Sequence, residues 1–387
     1  MLKIKESTRQ RCTITQLDEK ARKRLQPVSL EFFHFLYQTK ELPFSIFCRI
    51  ENTLIEYVSP GPLVTAHLDD LWDLMRRPET DCEICIRKVD KAAFDALMGG
   101  VRAHKLELLS RQMPNLDKKT LDVFANLSAA SQMVVAGGIN ADVAQHVKAS
   151  AAFLVSNAID SDQVVATLSR MINCDPTLYD HSATVAMLAA AISLRLLPKQ
   201  LSGREAELVA QCALYHDVGK TCVPHEILNK PGKFTPAEFD IMKQHTTLGH
   251  SELMKLIDGG VSIDELVARV ALEHHERWDG SGYPHGRRGP FEADAQHGIH
   301  LYTRIVMIAD VYSALLMRRV YKPAFQPQDA IRIMAQEANG FDPDVFKPFL
   351  KCVVRSLNKD ESHTNRLLVI GENGELSEWQ SKKAKSA

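Results

Sequence analysis

Hydrophobic and polar positions change rhythm near residue 117. Before it, short apolar runs alternate with turns. "FSIFCRIENTLIEYVSP" places two such runs around Glu51 and Asn52 and stops at Pro60-Gly61, which predicts a hairpin. "CEICIRK" alternates like a strand, with Cys82 and Cys85 on opposite faces. "TAHLDDLWDLMRRP" has helical spacing, Leu68, Leu71, Trp72 and Met75 sharing one face. "LEFFHFLYQ" and the stretch from about Lys91 are helical in character too. This β-β-α-β-α order predicts a small α+β domain over residues 1–115. After it, apolar residues recur at three and four in "DVAQHVKASAAFLVSNAI", "SATVAMLAAAISLRLL", "EAELVAQCALYH", "SIDELVARVALEHHE", "IHLYTRIVMIADVYSALL" and "QDAIRIMAQ". Strand signals nearly vanish from there to the end. The expected organisation is mainly α: a helical linker over 116–139, an all-helical bundle over 140–360 and a polar tail over 361–387.

Composition narrows this little. The 387 residues are 45% hydrophobic and 25% charged, with 47 basic and 48 acidic side chains and a net charge of -1. No global field favours nucleic acid or an anionic membrane, so an anionic ligand needs a local cluster. No apolar run reaches the roughly 18 residues of a membrane span, and "MLKIKESTRQRC" lacks a signal-like apolar core. The expected location is the cytoplasm. The eight cysteines are then expected as reduced thiols. "CEIC" has no second cysteine pair at a zinc spacing.

The helical half concentrates chemistry at helix ends. "HHERWDGSGYP" sets His274 and His275 before a glycine-rich turn. His181 stands in "YDHSATVAMLA", His216 and Asp217 in "YHDVGK", His245 in "MKQHTTLGH" and Asp310 in "MIADVYSAL". Five histidines and two carboxylates form a mixed nitrogen and oxygen set. It suits iron, manganese, zinc or nickel better than calcium or magnesium. Seven ligands exceed one tetrahedral zinc, whereas two metals about 3.5–4 Å apart, a device of phosphoester hydrolysis, use that number. Spacing alone leaves open whether the seven converge. Of the other histidines, His225, His250, His285, His297 and His300 are expected to be structural or solvated.

"HDVGK", "VPHEILNKPGKFTPAEFDIMKQH", "HHERWDGSGYP" and "RIVMIADVYSALLMRRVYKP" together resemble the HD-GYP family, helical HD-superfamily phosphodiesterases that act on cyclic di-GMP. The resemblance implies His181, His216, Asp217, His245, His274, His275 and Asp310 as metal ligands, with Asp217 bridging two divalent ions, iron or manganese first. It implies Lys220, Arg319 and Lys322 as holders of phosphate oxygens, and Tyr283 as a lining of the loop against substrate or a partner protein. Asp217 and Lys220 carry the catalytic roles. Three positions depart from the family pattern. Thr177 replaces a glutamate four residues before the first histidine, which points to two ions rather than three. Thr246 stands where a proline is usual, and Ser313 where "DVYDAL" has an acid.

The implied reaction is hydrolysis of cyclic di-GMP to pGpG, with GMP after a second cut. Two other readings stand beside it: a catalytically weak receptor of the same ligand, or an HD-type phosphohydrolase acting on other nucleotides. The implied partners are cyclic di-GMP, signalling proteins docking through the GYP loop or the N-terminal domain, and a second copy of the chain as a homodimer.

Overall fold

The computed structural model describes residues 13–16, 18, 21, 24–27, 41–50, 53–64, 67, 71, 82–94, 96–97, 107, 110–111, 118–136, 139–157, 181–228, 233–294, 296–316, 325–360, 366–370 and 376–380. The chain divides into two compact units, Met1–His104 with Gln132–Ile139, and Lys105–Ser131 with Asn140–Ala387.

The first unit holds β1 (Thr13–Gln16), β2 (Leu25–Pro27), β3 (Glu41–Leu42), β4 (Ile46–Ile50), β5 (Thr53–Val58), β6 (Gly61–Pro62) and β7 (Cys82–Arg87). Five of these make an antiparallel sheet in the order β1-β5-β4-β7-β2. The expected hairpin is β4–β5, closed where Ile50 pairs with Thr53. Alternation sorts the two faces: Ile46, Cys48, Ile50, Ile55, Ile84 and Ile86 join the main core with Phe44, Tyr57 and Leu71. Phe47, Cys85 and Leu25 form a small cluster of their own. The pattern did not predict β1 and β2, because "TITQ" and "LQP" are edge strands too short and too polar to alternate. The helices expected at "LEFFHFLYQ" and "TAHLDDLWDLMRRP" lie outside the described residues, His67 and Leu71 excepted. Cys85, Cys212, Cys222 and Cys352 are not disulfide-bonded, as expected. Cys48 corrects that expectation, being disulfide-bonded. Distance along the chain does not say which sulfurs come within bonding reach.

The second unit contains helices α1 (Lys118–Ala136, whose last turn belongs to the first unit), α2 (Ala141–Ser156), α3 (His181–Ala191), α4 (Gly203–Tyr215), α5 (His225–Leu228), α6 (Pro236–Lys243), α7 (His245–Asp258), α8 (Glu265–Glu273), α9 (Leu301–Leu316), α10 (Pro327–Gln336) and α11 (Pro343–Asp360). Their starts are written in the sequence: Ser202 with Glu205 and Thr235 with Glu238 form capping boxes, and Asp264 caps α8. α3 is buried from Ala183 to Ala190, and α9 along most of its length. These two pack side by side, with α4 against α3 and α8 against α4. A helix apolar all round sits at the centre of a bundle, so any polar residue on α3 or α9 must find a partner there. Among the described residues no helix is long and apolar enough to cross a membrane.

The end of the chain departs from expectation. β8 (Arg366–Ile370) and β9 (Leu376–Gln380) pair as an antiparallel hairpin where a polar tail was expected. "RLLVI" is only five residues long, below the length at which period separates a strand from a helical remnant.

Candidate metal centre

Three histidines share one local device. His216 follows the last residue of α4 and His274 the last of α8. His245 opens α7, two residues beyond the end of α6. The final carbonyls of a helix have no amide left to accept from. Each imidazole therefore donates its Nδ1–H to the carbonyl three residues back: His216 to Ala213 at 2.7 Å, His245 to Met242 at 2.7 Å and His274 to Ala271 at 2.9 Å. That bond fixes the tautomer and leaves Nε2 as a lone-pair donor.

Those Nε2 atoms converge on Asp217. Its Oδ1 lies 3.5 Å from His245 Nε2 and 3.6 Å from His274 Nε2. Its Oδ2 lies 3.3 Å from His216 Nε2 and 3.9 Å from His181 Nε2. Asp310 completes the second side, its Oδ1 3.0 Å from His181 Nε2 and 3.8 Å from His216 Nε2. Ser313, one turn further along α9, meets His181 Nδ1 at 2.9 Å. The donors fall into two groups, Asp217 with His245, His274 and His275, and His181 with His216 and Asp310. In each group the ligand atoms lie within 4.8 Å of one another. The structure thus brings together all seven residues named from the sequence. Lys220 lies beside them, its ammonium 2.5 Å from Asp217 Oδ2. Tyr283 stacks on His275 with ring centroids 4.8 Å apart. Arg319, Lys322 and Thr177 lie outside the described residues. The histidines expected to be structural stay outside both groups; His297, for one, pairs with Asp294 on the surface.

The donor set fits divalent ions. His216 Nε2 and Asp217 Oδ1 are buried and make no hydrogen bond. His245 and His274 face each other Nε2 to Nε2 at 3.2 Å. With both Nδ1 protons given to carbonyls, this contact sets lone pair against lone pair, which a cation between them relieves. Protonation follows the same logic. Burial, then the neighbouring His274, lowers His245 to about 4. Burial and His274 likewise carry His275 well below the ordinary imidazole value. Burial opposes charge on Asp217 and Asp310. Lys220 and His216 nevertheless hold Asp217 well below the carboxylate range, and His181 and His216 do the same for Asp310. At neutral pH the pocket presents carboxylates and neutral His245 and His275, the forms that ligate.

Two supports were not read from the sequence. Gly219, in the 3-10 turn Val218–Cys222, lies against Gly249 of α7. A Cβ on Gly219 would overlap the His245 carbonyl and the Gly249 amide. The bare backbone lets the turn carrying Asp217 and Lys220 close onto the start of α7. The visible signal is a glycine two residues after the aspartate and another four after His245. Glu276, fully buried, accepts from the amides of His285 at 2.7 Å and Arg287 at 2.8 Å. One carboxylate thereby ties the glycine-rich loop back to the helix end that bears His274 and His275. Its signal was an acid directly after two histidines.

Comparison with known proteins gives the following likenesses. Residues 166–345 match the family model described as "HD domain". This region is similar to HD domains. Its relatives include a Pseudomonas aeruginosa protein named cyclic di-GMP phosphodiesterase, 40% identical over 188 residues, which cover 48% of this chain and 42% of that protein. A Thermotoga maritima protein named cyclic di-GMP phosphodiesterase is 36% identical over 178 residues, 46% of this chain and 45% of the relative. The Vibrio cholerae 3'3'-cGAMP-specific phosphodiesterase 3 is 28% identical over 299 residues, 74% of this chain and 61% of the relative. The chain therefore spans less than two thirds of the length of each. The matched residues include both ligand groups, Lys220 and Tyr283.

Proposed function

We propose that the HD domain hydrolyses cyclic di-GMP to pGpG, and pGpG onward to GMP, with two divalent ions, iron or manganese, held between its helices. The observation that carries this is Asp217, whose two oxygens face two separate histidine groups while Lys220 stands at its side. His181, His216 and Asp310 would hold one ion and His245, His274 and His275 the other, with Asp217 between them. Such ions supply an activated water and positive charge at the phosphoryl oxygens.

The chain's own groups do the rest. Lys220, with 37% of its side chain exposed, reaches the open side of the site, where it can meet a phosphoryl oxygen as charge builds on it. Arg319 and Lys322, by the HD-GYP resemblance, hold the second phosphate, arginine through its planar fork and lysine as a point charge. Burial pushes the Tyr283 phenol up, so it stays a neutral hydrogen-bond donor at the loop. The α+β domain over residues 1–115 is regulatory or forms contacts with partners. Of the described residues before 118, none belongs to either ligand group.

The test is metal analysis of anaerobically purified protein, coupled to chromatography of its products from cyclic di-GMP, 3'3'-cGAMP and cyclic di-AMP. About two ions per chain and conversion of cyclic di-GMP to pGpG are expected. Metal-replete protein that binds cyclic di-GMP without turnover would make the domain a receptor, a reading favoured by Ser313 standing where the family has an acid.

A further inference from the structure

The rim of the site carries an aromatic surface with no role in holding an ion. Phe239 on α6 is 46% exposed, one of few large apolar side chains so placed among the described residues. Its ring meets Tyr283 edge-on, with centroids 6.4 Å apart. Tyr283 in turn stacks on His275. Two ring-to-ring steps thus lead from a candidate ligand to solvent. The ammonium of Lys243, on the next turn of α6, lies 5.3 Å from the Phe239 centroid and 5.9 Å from that of Tyr283. Asp240, between them in sequence and 68% exposed, pairs with Lys243 at 2.6 Å. For a core, burying Phe239 would be the simple outcome. Here the ring is left in water, flanked by one donor-only and one acceptor-only group.

We infer that Phe239, Lys243 and Asp240 form a subsite for one guanine base of a cyclic dinucleotide, with Tyr283 closing its inner edge. This rests on the phosphodiesterase reading above and names which part of α6 selects the substrate. A purine stacks on an exposed aromatic face regardless of its identity. Identity then depends on the edge. Guanine offers O6 and N7 as acceptors, which suit Lys243, and N1–H and the N2 amino group as donors, which suit Asp240. Adenine presents an amino group where guanine has O6, so a lysine there keeps N7 alone as acceptor and meets a donor beside it. The phosphate of the same nucleotide is then directed past Tyr283 towards Lys220 and Asp217.

The test uses the full, metal-loaded chain. Calorimetry gives Kd for phosphorothioate analogues of cyclic di-GMP and cyclic di-AMP. Kinetics compare cyclic di-GMP with bis(p-nitrophenyl) phosphate, a diester without a base. Phe239→Ala should weaken the guanine analogue about tenfold or more. It should raise KM for cyclic di-GMP by at least as much relative to the base-free diester, and Phe239→Tyr should restore both. Lys243→Gln should cut the preference for the guanine over the adenine analogue about tenfold. A Kd for Phe239→Ala within twofold of wild type overturns the subsite. Wild type that binds the guanine analogue and cleaves the base-free diester but spares cyclic di-GMP defeats the phosphodiesterase reading alone, the Kd series still deciding the subsite. Wild type that binds neither analogue removes both.

Discussion

The two sides of the candidate metal centre are built differently. On one side, His245 and His274 stand at helix ends and are oriented by main-chain carbonyls. On the other, His216 has the same support, but His181 is oriented by side chains of α9, Asp310 at one nitrogen and Ser313 at the other. A carbonyl at a helix end cannot be mutated away, because the helix itself supplies it. A hydroxyl on a helix face can. The first side is therefore as robust as its helices, while the second depends on single residues. Substitution can pull the two apart.

The largest effect is expected where the sides meet. Asp217→Ala should empty both ligand groups, abolish hydrolysis and lower the melting temperature, since ions bound only to the folded state stabilise it. Metal analysis and thermal unfolding of the same sample check this, and retention of both ions would show that the sides do not share the aspartate. Next comes Lys220→Ala. It should keep the metal content and reduce kcat about 10²–10³-fold, as for other preorganised charge-stabilising groups; loss of metal would make Lys220 part of the ligand framework instead. Ser313→Ala should weaken one ion about 10–100-fold, the usual effect of removing a ligand's supporting partner. Metal titration should show the other ion holding, and Ser313→Asp should tighten the first. Equal loss of both ions would erase the distinction between the sides. The smallest change is Glu276→Gln, which replaces one of two acceptors with an amino group facing an amide. Denaturant midpoints should report a loss of about 1 kcal/mol, and a neutral result would mean the loop holds without that carboxylate.

The legibility of this chain follows the same division. Amphipathic period located α4 and α8, and with them the helix ends that carry His216 and His274; α6, which ends just before His245, was not among the periodic segments. What no period reveals is contact between distant backbones. Gly219 against Gly249 needs two turns to meet in space, and either glycine alone reads as a loop residue. Glu276 looked like one more surface acid because its partners, the amides of His285 and Arg287, carry no side-chain signature. Strands fared worse where they were short. β4, β5 and β7 alternate and were read, whereas β1, β2 and the β8–β9 hairpin offer too few residues for a pattern. The disulfide at Cys48 is a pairing that spacing along the chain does not encode. Phe239 carried no reading of its own in the sequence, and only its exposure sets it apart from core.

Three imidazoles locked by main-chain carbonyls also bear on timing. Their lone pairs are aimed once α4, α6, α7 and α8 have formed, before any ion arrives. Loading then resembles filling a finished mould rather than drawing loose ligands together. Such a mould yields little to the radius of its guest, so ions of similar size compete on supply. The same chain raised in iron-rich or manganese-rich surroundings should emerge carrying different cargo in an unchanged frame.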